Sequence, residues 1–320
     1  MARNQLIAAA FAVGYATADS VSCPLNSPLS CQNTATAAVD TCCFNQPGGQ
    51  LLLTQFWDTD PPTGPMDSWT MHGLWPNNCN GTWEQFCDNS RKYKNITVIL
   101  ESFAPLTLEF METYWKDSKE NDERFWAHEF NKHGTCVSTL DPKCYDAYKP
   151  TQEVADYFTK AVDVFKTLPS YKWLAAADIV PSTSATYSQA AIQDALKAAY
   201  NQTVVVNCNK NKELSELRYH YNVRGSVQTG NFVPVEPLGS PTNCPRTGIK
   251  YLPKRGGPDS AASPSGRGYL NVFPNDLLTI AGRSDPAAFQ IMKKQTVPER
   301  RPFIIICTSD PSGVGRIVSV

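Results

Sequence analysis

The sequence has few histidines and almost no net charge. Its 320 residues include four histidines, and Lys and Arg nearly balance Asp and Glu, so that the formal charge is −1. A protein that coats nucleic acid through a basic surface needs a strong excess of Lys and Arg, and the balance argues against that class. No segment contains the roughly 20 consecutive apolar residues that a membrane-spanning helix requires. The sequence also has no internal repeat.

The eleven cysteines include no CxxC pair, which disfavours a structural zinc site or a thioredoxin-like site. The N-terminus predicts a secretory signal peptide over residues 1–18, with Arg3, an apolar run and an A-x-A cleavage site, so the mature chain starts at Asp19. In the oxidising secretory pathway the cysteines are expected to form disulfides. We therefore expect a secreted (extracellular) or vacuolar protein that has no membrane anchor after signal cleavage.

The segment 125–136, FWAHEFNKHGTC, concentrates ionisable side chains. In a helix, His128 and Lys132 are four residues apart, and so are Glu129 and His133, which places all four on one face. Gly134 is the expected end of this helix. A solvated charged face is one interpretation of the pattern. A zinc protease is another, but zincins need their second His four residues after the first, and here the spacing is five.

The segment 68–79, SWTMHGLWPNNC, contains a third histidine, His72. A single histidine often has only a structural hydrogen bond. Together with the first segment, however, it supplies two imidazoles, a Lys and a Glu, which suffice for metal-free phosphoryl transfer at mildly acidic to neutral pH. The fourth histidine, His220, lies in a predicted strand and is assigned a structural or surface role.

These two segments resemble the active-site segments of the ribonuclease T2 family, and the chain is most similar to its fungal secreted members. The likeness runs from about Cys23 to Lys254. It includes the paired Cys42 and Cys43, the run HGTCVSTLDPKCYDAY and the ending GIKYLPK.

The resemblance implies a disulfide pairing that spacing alone leaves open. It pairs ten cysteines as Cys23 with Cys43, Cys31 with Cys79, Cys42 with Cys144, Cys87 with Cys136, and Cys208 with Cys244. Cys307 is left over. Sequons predict N-glycosylation at Asn80, Asn95 and Asn201.

The resemblance also implies a mechanism, with His133 as general base and His72 as general acid. The residues alone leave these two roles interchangeable. His128, Glu129 and Lys132 would hold the phosphate and its transition state. The 2′-hydroxyl of single-stranded RNA would attack its own phosphate and give a 2′,3′-cyclic phosphate, then a 3′-phosphate, with low base specificity and with DNA inert. No cofactor and no metal are implied, and a monomer is expected.

Base contacts are implied as well. Trp75, Asn77 and Trp83 would bind the base 5′ of the cut, and Gln55 and Phe125 the base 3′ of it. The chain departs from the family at Asn77, where fungal relatives often have Asp, and in the segment Lys116–Lys119. We expect three further tryptophans to pack in the core: Trp57, Trp69 and Trp126.

Helices and strands in mixed order predict an α+β fold, and the resemblance implies a single disulfide-stapled domain with a central antiparallel sheet and several helices. Strands are predicted at 50–57, 204–206 and 217–223. One amphipathic helix begins after Thr151 as N-cap, with Val154, Tyr157, Phe158, Ala161, Val162 and Phe165 on its buried face. A second has Ala191, Ile192, Ala195, Leu196 and Ala199.

The catalytic domain is expected at 19–255. A Gly/Ser/Pro-rich linker follows at 256–268, and 269–320 is interpreted as a poorly ordered extension in which the FIIIC run at 303–307 has no evident strand partner. Two alternatives to a ribonuclease stay open: a catalytically silent glycoprotein of the same fold, used for storage or recognition, and a zinc hydrolase.

Overall fold

The structure, a computed structural model, describes residues 22–32, 40–239 and 241–254, and the backbone of 305–309 and 315–319. The chain forms two compact units, 1–263 and 264–320. The α-helices of the first unit are α1 (Ile96–Phe103), α2 (Pro105–Tyr114), α3 (Asp122–Lys132), α4 (Gln152–Lys166), α5 (Ser170–Ala175) and α6 (Gln189–Tyr200). Its strands are β1 (Gln50–Phe56), β2 (Thr70–Asn77), β3 (Thr186–Tyr187), β4 (Val205–Cys208), β5 (Leu214–Arg224), β6 (Asn231–Pro234) and β7 (Ile249–Lys250). The predicted signal peptide and linker lie outside the described residues.

The centre of the first unit is a five-stranded antiparallel sheet in the order β2–β1–β5–β4, with β6 also paired to β5. Strands β3 and β7 form a separate two-stranded sheet. The α+β prediction with a central antiparallel sheet is confirmed.

Helix α4 packs its apolar face into the core. All six residues predicted for that face are buried, because their spacing of three and four puts them on one side of the helix. Thr151 does occupy the N-cap position, but the predicted side-chain cap is wrong: its φ is +73° and its side chain makes no capping hydrogen bond. In α6 only Ile192 and Leu196 of the predicted face are buried, and Ala191 and Ala199 are exposed. The three tryptophans predicted for the core are buried.

The structure forms the five disulfides that the family resemblance implies. Two of them fasten the segments that contain the histidines. Cys31–Cys79 holds the residues just after β2, and Cys87–Cys136 holds the turn after α3. The predicted glycosylation residues Asn80, Asn95 and Asn201 are all exposed.

The second unit contains an antiparallel hairpin of β8 (Ile305–Ser309) and β9 (Gly315–Ser319). The expectation that the FIIIC run has no strand partner is therefore wrong, since its partner follows a short Gly-containing connection. Residues 269–304 lie outside the description, and their poor order stays a prediction. Among the described residues, no helix combines the length and apolar character needed to cross a membrane.

A buried lysine fixes the connection between β1 and β2. The Nζ atom of Lys254 donates hydrogen bonds to the backbone carbonyls of Thr63, Pro65 and Ser68, at 2.7, 3.1 and 2.8 Å. Its side chain is 2% exposed, and Nζ lies 4.5 Å from the centroid of the Trp57 ring. Lys254 thereby holds the loop between β1 and β2, which leads into the segment that contains His72.

We expect Lys254→Met to lower the free energy of unfolding by roughly 2 to 4 kcal/mol, because three carbonyls lose their donor in a buried site. Urea denaturation would measure this loss. Lys250→Met is the matched control, since that side chain is exposed, and we expect a change within about 0.5 kcal/mol. Equal stability of the two variants would contradict the proposed anchoring.

Candidate active site

A β-bulge places His72 on the site face of the sheet. Thr54 pairs with Gly73, but the next residue of β1, Gln55, pairs with Met71, so that His72 is the extra residue of β2. A bulge re-aims the side chain of the extra residue. The backbone carbonyl of His72 accepts a hydrogen bond from Trp115 Nε1 at 3.0 Å.

The carboxyl group of Glu129 lies between the two catalytic candidates. Its Oε1 is 3.8 Å from His72 Nε2, and its Oε2 is 4.0 Å from His133 Nε2. Trp75 Nε1 donates a hydrogen bond of 2.8 Å to Oε2. The Trp75 ring stacks on the His133 ring at 4.9 Å and meets the His72 ring edge-on at 4.5 Å. One indole therefore holds all three groups in place.

Gly73 leaves room for this arrangement. A Cβ atom at position 73 would lie 2.1 Å from Glu129 Oε2 and 2.5 Å from Trp75 Nε1. The glycine of the HGLWP motif is thus required by the hydrogen bond between these two side chains.

Helix α3 presents the charged residues as the spacing predicts. Its N-cap Asn121 accepts a hydrogen bond from the Arg124 N–H, and acidic residues in the first turn match the helix dipole. His128, Glu129 and Lys132 lie within the helix, and His133 is its C-cap. Glu129 and His133 are buried, whereas His128 is exposed.

Burial separates the proton affinities of these groups. Desolvation lowers the pKa of His133 far below its ordinary value, and the charges of Lys132, His72 and His128 lower it further. Desolvation raises the pKa of Glu129, although His72 and the Trp75 hydrogen bond oppose the shift. The Nε2 atom of His133 is buried and has no hydrogen-bond partner among the described residues. A neutral imidazole with a free ring nitrogen is suited to accept a proton.

The predicted base contacts fall in different places. Trp83 is 64% exposed and forms a backbone bridge with Asn77, which is buried. Phe125 is half-buried, with its ring centroid 5.9 Å from that of His72. Phe125 therefore borders the site, and the contacts of all three residues with bases stay predictions.

The predicted base contact of Gln55 is wrong, because the structure does not bring its side chain to the site. Neighbouring side chains of a strand point to opposite faces, and Phe56 is the residue of β1 that stacks on His72. Gln55 points into the core, where its amide donates to the Leu168 carbonyl and accepts from Ser170. His220 is also buried, hydrogen-bonded to Gln50, in agreement with its assigned structural role.

Sequence reasoning missed three residues that contact the site. Phe56 stacks on His72 with ring centroids 3.8 Å apart. Glu216 Oε2 lies 3.2 Å from His72 Nδ1, and Arg218 lies over the Trp75 ring at 5.6 Å. The sequence of β5 could have indicated two of them. Glu216 and Arg218 alternate with apolar residues of that strand, which puts both on the face opposite the core.

An α+β fold that brings two imidazoles to one buried carboxyl defines an acid–base enzyme site. The chain matches the Ribonuclease T2 family model over residues 48–235. It is 56% identical to Ribonuclease Trv of Hypocrea rufa over 237 residues, which are 74% of this chain and all of that protein. It is 52% identical to Ribonuclease T2 of Aspergillus oryzae over 236 residues, which are 73% of this chain and 84% of that protein.

A solved structure agrees with these relatives. The crystal structure of Actibind, a T2 ribonuclease, matches with a TM-score of 0.70 and 50% identity, covering 75% of this chain and 100% of that one. The chain therefore belongs to the ribonuclease T2 family, as the resemblance predicted.

We expect Gly73→Ala to displace Glu129 or Trp75, because the added methyl group overlaps both. Overpacking of this kind costs about 1 to 3 kcal/mol, and RNA cleavage should fall at least about tenfold, in line with the sensitivity of catalysis to small displacements. Thermal melting and a cleavage assay on the same preparation would measure both effects. Wild-type activity in the variant would show that the glycine is dispensable.

Proposed function

We propose that this protein is a secreted or vacuolar endoribonuclease that cleaves single-stranded RNA by transphosphorylation, with low base specificity and without a metal ion. The products would be 2′,3′-cyclic phosphates and then 3′-phosphates. The observation that carries this proposal is the position of His72 Nε2 and His133 Nε2, 3.8 and 4.0 Å from the two oxygens of one buried carboxyl group.

His133 serves as the general base. Its imidazole is kept neutral by burial, and its Nε2, which has no hydrogen-bond partner in the described part of the chain, can accept the proton of the 2′-hydroxyl. That hydroxyl is already next to the phosphorus atom, so removing its proton starts an intramolecular displacement. DNA lacks the hydroxyl and is not a substrate.

His72 serves as the general acid. Its side chain is 19% exposed, compared with 7% for His133, so it is the imidazole that stays better solvated when charged. It donates a proton to the departing 5′-oxygen. In the second step it accepts a proton from the water that opens the cyclic phosphate.

Glu129, Lys132 and His128 stabilise the phosphorane. Because Oε2 of Glu129 accepts the Trp75 hydrogen bond, Oε1 is the oxygen that can hold a proton. The raised pKa favours that protonated form, which donates to a phosphate oxygen instead of repelling it. Lys132 adds positive charge at the C-terminal end of α3, and the imidazole N–H of His128 donates a hydrogen bond to the phosphate.

Low base specificity agrees with the kind of contact that the site offers. The exposed indole of Trp83 and the half-buried ring of Phe125 present stacking surfaces, and stacking accepts every base. Secretion or vacuolar delivery is supported by the five disulfides, which persist in oxidising compartments.

We expect the protein to cleave a synthetic RNA oligonucleotide in the presence of EDTA at about pH 5, where an imidazole pair can be poised as acid and base. His133→Ala and His72→Ala should each lower kcat at least about 100-fold, the typical contribution of one acid or base. Mass spectrometry would identify cyclic-phosphate ends.

The matched control is the same oligonucleotide with one 2′-deoxynucleotide 5′ of the cleaved bond, which should be left intact there. Cleavage that EDTA abolishes would contradict the metal-free mechanism. Absence of cleavage in all samples would favour the catalytically silent glycoprotein.

We expect the acid limb of the kcat/KM profile to lie below the ordinary histidine pKa of about 6.5. The base must be neutral, and a lowered pKa keeps His133 neutral at more acidic pH. Lys132→Met removes a positive charge that lowers this pKa, so the acid limb should move to higher pH. Lys143→Met, at an exposed lysine, is the control and should leave the limb in place. An acid limb that does not move in Lys132→Met would contradict the assignment of His133 as base.

A further inference from the structure

We propose that Glu216 is a positioning residue for the reaction: its carboxylate fixes the orientation of the His72 ring and stabilises the protonated ring, so that Nε2 carries the proton delivered to the leaving oxygen. This inference rests on the proposed function, since it takes His72 as the general acid.

The two nitrogens of the His72 ring face different carboxyl groups. Nε2 faces Glu129 at 3.8 Å, and Nδ1 faces Glu216 Oε2 at 3.2 Å. A hydrogen bond at one ring nitrogen determines which tautomer is present and which nitrogen faces the substrate. With Nδ1–H bound to Glu216, Nε2 is left for proton transfer.

Glu216 is itself held rigidly. Its Oε1 accepts hydrogen bonds from Asn207 Nδ2 at 2.9 Å and from Arg218 Nε at 2.5 Å, and the residue is buried. Burial alone would raise its pKa, but the bond to His72 and the charge of Arg218 outweigh burial and lower the pKa to about 2. It is therefore an ionised, acceptor-only group throughout the pH range of catalysis.

Other contacts fix the plane of the His72 ring but not which of its nitrogens faces the substrate. Phe56 stacks on the ring at 3.8 Å, and Trp115 holds the backbone carbonyl of the bulged residue. Neither contact selects between the ring nitrogens, because a stacked ring can be turned over without loss of stacking. Among the described residues, Glu216 is the polar group within hydrogen-bond distance of a His72 ring nitrogen, and it makes that selection.

The charge around His72 comes from several elements, and Glu216 is the ionised carboxylate in contact with Nδ1. Four other titratable groups of the described chain interact with His72: Asp58 just after β1, His128 and Glu129 of α3, and His133 at its C-cap. Lys132 and Arg218 lie one shell further out, against Glu129 and Glu216. Lys132 and Arg218 are positive, whereas burial lowers the pKa of His133 and His128 and favours their neutral forms.

The test compares two substrates on each preparation of Glu216→Gln. One is a dinucleotide, whose 5′-oxygen must be protonated as it leaves. The other is a nucleoside 3′-(4-nitrophenyl phosphate), whose leaving group needs no proton. We expect kcat/KM for the dinucleotide to fall about 10- to 100-fold, by analogy with the loss that follows removal of the hydrogen-bond partner of a metal-ligating histidine. The fall should be in kcat, and the loss on the nitrophenyl ester should be at least about tenfold smaller.

The ratio of the two losses does not depend on how much of the preparation is folded. Glu216→Asp retains the charge at a shorter reach and should give an intermediate ratio, and it can replace the Gln variant if that one does not fold. Glu236→Gln removes an exposed carboxylate that pairs with Lys197 and should keep the wild-type ratio.

His72→Ala separates failure of the inference from failure of the proposed function. If this variant loses activity on both substrates equally, His72 is not the general acid and the proposed roles fail. Suppose instead that His72→Ala retains activity on the nitrophenyl ester. If Glu216→Gln then loses activity on both substrates equally, or loses activity on neither, the inference about Glu216 is overturned and the proposed function stands.

Discussion

The burial of one carboxyl group is the constraint on which the active site depends. A buried carboxyl needs a hydrogen-bond donor, and Glu129 has the indole N–H of Trp75. That bond requires a glycine at position 73, because a side chain there would occupy the same space. It also fixes the indole, which stacks on His133 and contacts His72. Glu129 and His133 are buried together, and burial raises the pKa of the carboxyl group and lowers that of the imidazole. The packing of these residues therefore determines both the geometry of the site and its proton affinities.

The two halves of the site come from separate segments of the chain, and each is fixed by contacts with residues outside the site. His72 is on the sheet, in a bulge whose free carbonyl is bound by Trp115. Glu129 and His133 are on α3, whose following turn is closed by a disulfide to Cys87. Because His72 lies in a strand and Glu129 and His133 lie on a helix, the scaffold holds the proposed acid and base at a fixed separation, as the two steps of the proposed reaction require, since they use these groups in opposite directions.

Much of this organisation could be predicted. The spacing of four residues in α3 predicted which side chains share its face, and the two motifs identified the family, which supplied the disulfide pairing. Gln55 shows where the prediction failed. A residue next to the active segments was assigned to a base contact, but strand alternation points it into the core, and the neighbour Phe56 contacts His72 instead. Thr151 shows a second limit, since a favourable residue type at a helix start did not form the expected cap.

The amino-acid sequence was enough to predict the chemical groups, the helix that contains three of them, the class of fold and the family. These depend on local spacing and on motifs that can be read along the chain. Three features needed the folded structure: His72 is the extra residue of a bulge, Glu129 is buried between two imidazoles, and Glu216 reaches His72 from 144 residues away. The first and the third follow from the register of paired strands, which is decided by how whole faces of a sheet pack and not by the residues next to the site. The second follows from the contact of α3 with Trp75 of β2.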